Sequence, residues 1–165
     1  MKKILFFFIL FLINNNLIAD EKTHYIDIDF VLNNSNNGKL IVQKLQNLND
    51  LNILELKKNE KELKDLENEI SKVKNIISEN ELQKKVKTLR DKISLYRLEK
   101  DKKTNEFKSL KEKEIKIFFQ KITPIINEFM KENSIAIILD KKNIFIANSK
   151  YDITDDIINI LNKIN

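Results

Sequence analysis

The sequence has no cysteine, and its 165 residues include one glycine, one proline and one histidine. Without cysteine the chain can form no disulfide framework, no thiolate metal site and no lipidated cysteine anchor. The single glycine, Gly38, excludes the glycine-rich loops that bind phosphates and dinucleotides. The single histidine, His24, lies in a predicted strand, which argues against a catalytic triad, a histidine metal site and a histidine base. We therefore predict that the chain is not an enzyme and has no catalytic, cofactor-binding or metal-binding residue.

The longest apolar run lies at the N-terminus. Lys2 and Lys3 precede an unbroken apolar stretch, 4–13, which is followed by polar residues and then by Ala19. As a helix this stretch would rise about 15 Å, half the hydrocarbon core of a bilayer, so it predicts a signal peptide rather than a membrane span. We expect residues 1–19 to be removed by cleavage after about Ala19. An uncleaved N-terminal anchor is the alternative.

The formal net charge of the chain is +5, and a basic chain can indicate a nucleic-acid partner. Two of the positive charges, Lys2 and Lys3, belong to the predicted signal peptide. Lysine, asparagine and isoleucine are abundant together, which an AT-rich genome produces without selection for a partner. We predict no nucleic-acid partner.

The remaining chain, 20–165, is interpreted as one domain with three zones. Residues 39–133 are almost free of helix breakers and predict a long helical hairpin. Residues 20–38 and 134–165 combine β-forming runs with turn signals and predict a small β body. The expected fold class is α+β, mainly α: a small oligomeric β body with a long antiparallel coiled-coil hairpin.

Three strands are predicted in the β body. They cover residues 23–28, 135–139 and 144–147. The second strand is an unbroken apolar run, of the kind that is buried on both faces. Asp29 is expected to cap a short helical turn, the asparagine-rich segment 33–38 to form a turn, and Thr154 to cap a C-terminal helix. A single body of three short strands is too small to bury all of its apolar residues. This excess of apolar surface predicts oligomerisation through the β zone.

The helical zone carries a coiled-coil pattern, with apolar residues spaced by three and four and charged residues between them. The predicted contact positions are Leu56, Leu63, Leu66, Ile70, Val73 and Ile77 in the first arm, and Leu82, Val86, Leu89, Ile93, Tyr96, Phe107, Leu110 and Ile117 in the second. Ser78 and Glu81 match a capping box, so we place the hairpin tip near residues 77–80. Pro124 predicts a kink or an end of the second helix.

The predicted tip is rich in positive charge. Its candidate functional residues are Lys72, Lys74, Lys84, Lys85, Lys87, Arg90 and Lys92. They can be interpreted as a solvated lysine-rich face, or as a basic rim that steers an anionic client or a membrane surface toward the protein.

Pairing Ile77 with Leu82 across the tip predicts which residues of the two arms face each other. In this register Leu63 meets Tyr96, Asn59 meets Lys100, and Leu56 meets Lys103. Both arms then lose apolar character in one layer, which lowers stability and can specify register. We interpret Asn59, Lys100 and Lys103 as a candidate soft joint that lets the outer half of the hairpin swing. Neutral drift in a tolerant coiled coil is the alternative.

In order along the chain, these features resemble the Skp/OmpH family of periplasmic chaperones. The resemblance rests on the signal peptide, the run from Tyr25 to Leu32, Asn37-Gly38-Lys39 before the long helix, the hairpin, Leu139-Asp140 with the run Ile144-Phe145-Ile146, and Asp152-Ile153-Thr154. It implies a periplasmic homotrimer whose helical tentacles enclose a cavity, and which holds unfolded outer-membrane β-barrel proteins without ATP.

The resemblance leaves client-contact residues open. Candidate contacts are apolar residues outside the coiled-coil pattern, which could equally pack against the body or the neighbouring helix: Leu51, Ile53, Leu54, Leu95, Leu98 and Phe118. Contact with anionic lipid or lipopolysaccharide is a further expected interaction. The main alternative function is that of a structural or adaptor coiled-coil protein of the cell envelope. A prefoldin-like cytoplasmic assembly would share the architecture, but the signal peptide argues against it.

Overall fold

A computed structural model describes residues 22–164 of the chain. Strands β1 and β2, helices α1 to α4 and two short 3₁₀ turns follow one another in the order β1 (Lys22–Ile26), α1 (Ile28–Asn34), α2 (Asn36–Val73), α3 (Glu79–Glu132), β2 (Ile135–Asp140), the turns Lys141–Asn143 and Ser149–Tyr151, and α4 (Thr154–Lys163). The predicted signal peptide, its cleavage site and the alternative anchor lie outside the described residues. None of the helices within 22–164 is long and apolar enough to cross a membrane.

Helices α2 and α3 form the hairpin. Their 38 and 54 residues correspond to lengths of about 57 and 81 Å. Every predicted contact position of the two arms is partly or fully buried, and the charged residues between them are mostly exposed. The predicted fold class, a mainly helical chain with a small sheet and long helices, is confirmed.

The hairpin turns between Val73 and Glu79, and its second helix starts as the sequence predicted. The Ser78 hydroxyl accepts a hydrogen bond from the Glu81 amide, and the Glu81 carboxylate accepts one from the Ser78 amide, so the capping box is present. Pro124 does not end the helix, because α3 continues through it to Glu132. One lost backbone hydrogen bond is tolerated in a helix whose flanks, including Ile122, pack against the body.

The sheet differs from the prediction. It has two strands in the described chain, and β1 runs parallel to β2 with Tyr25 opposite Leu139. Residues 144–147 form no strand, so the third predicted strand is wrong for the single chain. After the 3₁₀ turn the chain leaves the sheet, and Asp152 makes an isolated bridge with Tyr25 instead. Strand β2 is not buried on both faces either, since Ile137 and Leu139 are exposed.

The chain between β1 and α2 is more helical than predicted. Asp27, rather than Asp29, caps α1, and its carboxylate accepts a hydrogen bond from the Phe30 amide at 2.9 Å. The asparagine-rich segment is not an open turn, because only Ser35 separates α1 from α2. Ser35 is fully buried and caps α2 by accepting a hydrogen bond from the Gly38 amide at 3.2 Å.

Gly38 allows α1 and α2 to pack at this sharp corner. A Cβ atom there would lie 1.9 Å from the Leu32 carbonyl oxygen and 2.8 Å from the Ser35 Oγ. Glycine is therefore required by close approach, not by a turn conformation.

We expect Gly38→Ala to lower the free energy of unfolding by about 2 kcal/mol, because the corner must open to admit the methyl group. Urea unfolding measures the change, with the exposed neighbour Lys39→Ala as the control. Alanine normally stabilises a helix relative to glycine, so an increase in stability would contradict the packing argument.

The core lies where α1, α4, β2 and the basal part of α3 meet. Val31, Ile122 and Ile157 are fully buried at its centre. Thr154 was predicted to cap α4, but it is instead the first residue of this helix. Its hydroxyl accepts a hydrogen bond from the Asp27 amide at 2.9 Å and donates one to Asp152, while the Thr154 amide also donates to Asp152. Thr154 therefore ties α4 to the start of α1.

Candidate functional site

The seven predicted basic residues lie around the far end of the hairpin. Six of them are exposed, and Lys85 is half-buried against the opposite arm. The Lys85 ammonium lies 2.8 Å from the Glu69 carboxylate, and this hydrogen bond lowers the pKa of Glu69. The other six therefore form an exposed basic rim, which we call the basic tip (Lys72, Lys74, Lys84, Lys87, Arg90 and Lys92).

The turn at this end also exposes an apolar side chain that the sequence reasoning missed. Ile76 is 82% exposed, whereas Ile77 is half-buried and Ile70 is buried between the arms. The following cap is tight: hydrogen bonds from the Ser78 hydroxyl and amide lower the pKa of the Glu81 carboxyl. Ile76 could have been noticed in the sequence as an isoleucine outside the coiled-coil spacing.

Midway along the hairpin, four polar side chains meet between the arms and form what we call the polar layer: Glu55, Asn59, Glu99 and Lys103. The Asn59 amide nitrogen donates to Glu99 at 2.9 Å, and the Lys103 ammonium donates to Glu55 at 2.8 Å. Lys103 also lies 4.0 Å from Glu99. The two arms are therefore joined here by hydrogen bonds and charge.

The polar layer contains two of the three residues of the predicted joint. Asn59 and Lys103 are half-buried, whereas Lys100 is exposed on the surface, and the partner of Asn59 is Glu99 rather than Lys100. Sequence reasoning missed Glu55 and Glu99 because it followed only the loss of apolar residues. Acidic residues flanking the polar positions were the available signal.

The charges of the polar layer stabilise each other. The hydrogen bond from Lys103 lowers the pKa of the Glu55 carboxyl, and the same bond raises the pKa of Lys103. The Lys103 side chain is only 19% exposed, so it lies along the arms while its ammonium is neutralised. A layer of this kind costs stability relative to apolar packing but allows few alternative registers.

Large apolar side chains are exposed along the arms. Of the candidate client contacts, Leu51, Ile53, Leu54, Leu95 and Leu98 are exposed. Phe118 is buried in the body core, so it belongs to packing and not to a binding surface. The sequence reasoning missed Leu40, which is exposed beside Leu51 in an open groove of about 690 Å³.

The β body exposes a second apolar surface. Phe145 is fully exposed and Ile146 nearly so, in the segment where a strand was predicted. Elsewhere on the body, Phe119 and Ile137 are exposed and line an open groove of about 470 Å³. The chain therefore presents a segment outside the sheet with two exposed apolar side chains, and an apolar groove on the same body.

His24 lies on β1, as predicted for a strand-face residue. Its ring meets the edge of the Tyr151 ring at a centroid distance of 5.5 Å, and its Nδ1 has no hydrogen-bond partner among the described residues. Within residues 22–164, no group of three or more histidine, cysteine or acidic side chains is placed to hold a metal ion.

Two long antiparallel helices on a small body of strands and short helices define the class of helical-hairpin proteins, and this one exposes apolar and basic surfaces. The chain belongs to the family described as Outer membrane protein (OmpH-like), whose model matches residues 22–161. The resemblance drawn from the sequence is thereby confirmed.

The fold is similar to the crystal structure of a candidate outer membrane chaperone (OmpH-like) from Caulobacter crescentus CB15. The two chains are 18% identical with a TM-score of 0.73, and the match covers 87% of this chain and 85% of that one. No curated protein sequence is significantly similar to this chain.

Proposed function

We propose that the protein is an ATP-independent holdase chaperone of the periplasm, which keeps unfolded outer-membrane β-barrel proteins from aggregating. The observation that carries the proposal is the row of large apolar side chains exposed on a long two-helix arm, among them Leu51, Leu54, Leu95 and Leu98. The similar Caulobacter structure, described as a candidate outer membrane chaperone, supports it.

An exposed leucine is suited to holding a client weakly. Burying one such side chain contributes about 2 kcal/mol, too little to retain a client alone but enough when several act together. Contacts of this strength exchange easily, so a client stays unfolded and can be released without ATP. The proposed activity is therefore reversible binding of a client, with no catalysed reaction.

The proposed active form is a homotrimer joined through the β body. Phe145 and Ile146 are exposed on an unpaired segment, and Phe119 and Ile137 border an apolar groove of the same body. Covering these surfaces with further copies would remove apolar area from water and supply pairing for residues 144–147. Three hairpins projecting from one body would then enclose a client cavity.

The polar layer is proposed to act as a joint in each hairpin. Apolar packing between the arms is interrupted at Asn59 and Lys103, and hydrogen bonds to Glu99 and Glu55 replace it. Because solvated polar contacts are weaker than apolar packing, the outer half can move more easily than the basal half, and cavity size can adapt to the client.

The basic tip is proposed to attract anionic segments of clients and anionic envelope surfaces, either lipid or lipopolysaccharide. Its exposed charges act over about 10 Å at 0.1 M salt and about 3 Å at 1 M salt, so its contribution falls as salt rises.

Light scattering of a diluted, denatured barrel protein tests the holdase. We expect excess mature protein to suppress aggregation without ATP, and to suppress it several-fold less well in high salt because the basic tip is screened. The variant Lys72→Gln/Lys74→Gln/Lys87→Gln is expected to lose most of this salt dependence. Its matched control, Lys108→Gln/Lys111→Gln/Lys113→Gln, changes three exposed lysines nearer the body and should keep it.

Aggregation that is unchanged by excess protein would refute the holdase and favour a structural or adaptor coiled coil. If the suppression of aggregation is insensitive to salt, only the proposed electrostatic contribution of the basic tip is refuted, and the holdase proposal stands.

A further inference from the structure

One short segment of the body, residues 144–148, lies outside the helices and strands. Phe145 is fully exposed and Ile146 is 84% exposed, and the two residues that follow them are exposed as well. Within the described chain, residues 145–147 form no backbone hydrogen bond. A 3₁₀ turn lies on each side of the segment. The body therefore presents a span of free backbone that carries two large apolar side chains.

The chain on both sides of this span is anchored in the body. The Ile153 amide donates a hydrogen bond to the Tyr25 carbonyl oxygen at 3.0 Å. The Lys141 ammonium lies 3.3 Å from the Asp152 carboxylate, which joins the turn before the span to the turn after it. The ends of the span are thus fixed while its middle faces solvent.

Free, exposed backbone is what an endopeptidase requires. Such an enzyme binds several substrate residues through backbone hydrogen bonds, as if a strand were added to a sheet, and cleavage concentrates at exposed segments outside regular structure. Every other phenylalanine and tyrosine within residues 22–164 lies in a helix, a strand or a 3₁₀ turn. Those in helices and strands must first unfold locally to be cut, whereas Phe145 is already accessible.

We propose that the Phe145–Ile146 peptide bond is a conditional cleavage site. It is open to an endopeptidase whose pocket takes an apolar side chain before the cut bond, and it closes when copies of the chain pair through the body. Water adds across the bond, so that the Phe145 carbonyl becomes a carboxylate and the Ile146 nitrogen leaves as an amine. The inference rests on the proposed function in one respect, the trimer that covers residues 144–147.

A cut at this bond would dismantle the body. It separates α4 from the rest of the chain, and α4 supplies Ile157, Ile158 and Leu161 to the core. Without a covalent link, α4 is no longer held at a high local concentration beside Val31 and Ile122, so it can be lost. Chains that fail to assemble expose apolar surface and can aggregate, and this cut would remove them.

Limited digestion with chymotrypsin, which cuts after aromatic side chains, tests the proposal on the mature protein. The variant Ile137→Glu places a charge in the groove that another copy is proposed to cover and leaves residues 144–147 unchanged. We expect this variant to be a monomer by sedimentation equilibrium, with unchanged helix content by circular dichroism. Mass spectrometry should find its first cut after Phe145, at least about tenfold faster than in the unaltered trimer. The control Leu98→Glu adds the same charge on the exposed arm and should stay protected.

Two further measurements separate a specific site from general unfolding. Adding Phe145→Asn to the Ile137→Glu variant removes the aromatic side chain and should slow the first cut by about tenfold or more. Dilution of the unaltered protein at constant chymotrypsin concentration should speed the cut after Phe145, because dilution favours the monomer. A first cut elsewhere in the folded monomer, or equal rates with and without Phe145, would overturn the proposal.

Sedimentation keeps the failure of this inference apart from failure of the trimer. If the unaltered protein is a monomer, the trimer proposal is wrong, and the inference then requires a rapid cut after Phe145 in the unaltered protein. Resistance of that monomer would overturn the inference as well. An unaltered trimer that is cut as fast as the monomeric variant would show that assembly does not protect the site, and would overturn the inference alone.

Discussion

Replacing Phe145 and Ile146 with glutamate is expected to abolish the trimer. Both side chains are exposed on an unpaired segment of the body, where burial by another copy is the proposed basis of assembly. Removing a central apolar anchor from an interface costs about 2–4 kcal/mol, and burying a charge in its place adds to that cost. The dissociation constant of the trimer should therefore increase by on the order of a thousandfold or more.

Sedimentation equilibrium of the mature protein measures this change. The control Leu51→Glu/Leu54→Glu places the same charges on the exposed arm and should leave the trimer intact. The Phe145→Glu/Ile146→Glu variant should also lose holdase activity, because isolated hairpins enclose no cavity. A stable folded monomer of the unaltered protein would contradict the trimer and the cavity together.

Making the polar layer apolar is expected to stiffen the hairpin. In Asn59→Leu/Glu99→Leu/Lys103→Leu, apolar side chains replace most of a hydrogen-bonded network between the arms. Glu55 loses the Lys103 ammonium, but it is exposed and its carboxylate stays hydrated. Continuous apolar packing should slow amide exchange in the outer half, residues 63–96, by about tenfold or more, which corresponds to about 1.4 kcal/mol of added local stability. The range of client sizes retained should narrow.

The structure supplies the control for this experiment. Lys100 was predicted to be part of the joint but is exposed, so Lys100→Leu should leave amide exchange in the outer half unchanged. If the triple variant exchanges at the rate of the unaltered protein beyond Leu63, the polar layer is not a joint. If Lys100→Leu slows exchange as strongly, the effect comes from added apolar surface and not from the polar layer.

The hairpin was predictable because its signals are local or periodic. Ser78 and Glu81 lie three residues apart and complete each other's hydrogen bonds without help from distant parts of the chain. The coiled-coil spacing needs only the helix repeat, and every position that it assigned to the contact between the arms is at least partly buried.

Polar contacts between the arms were less predictable. A pattern of apolar residues locates the interruption at Asn59 and Lys103, but the hydrogen-bond partners depend on side-chain reach across the interface. Glu99 and Glu55 take these places because long side chains bond diagonally as well as directly across. Lys100 then turns to solvent, where a lysine is most easily hydrated.

In the body, the errors arise where contacts between different elements decide the structure. Asp27 and Thr154 are 127 positions apart, and their hydrogen bond ties α4 to the start of α1. Gly38 was taken as part of a turn, whereas its role is to let α2 pass the Leu32 carbonyl. The way in which two helices pack against each other has no signature in either helix alone.

By itself the sequence determined the long helices, the start and cap of the second helix at the tip, and the apolar, basic and β-forming zones, because helix periodicity and capping act within a few residues. Only the tertiary structure decided that β1 pairs in parallel with β2, that residues 144–147 remain unpaired, and that Glu55 and Glu99 complete the polar layer. Those outcomes depend on which distant surfaces meet, and a strand or a charged side chain has several acceptable partners until the chain has folded.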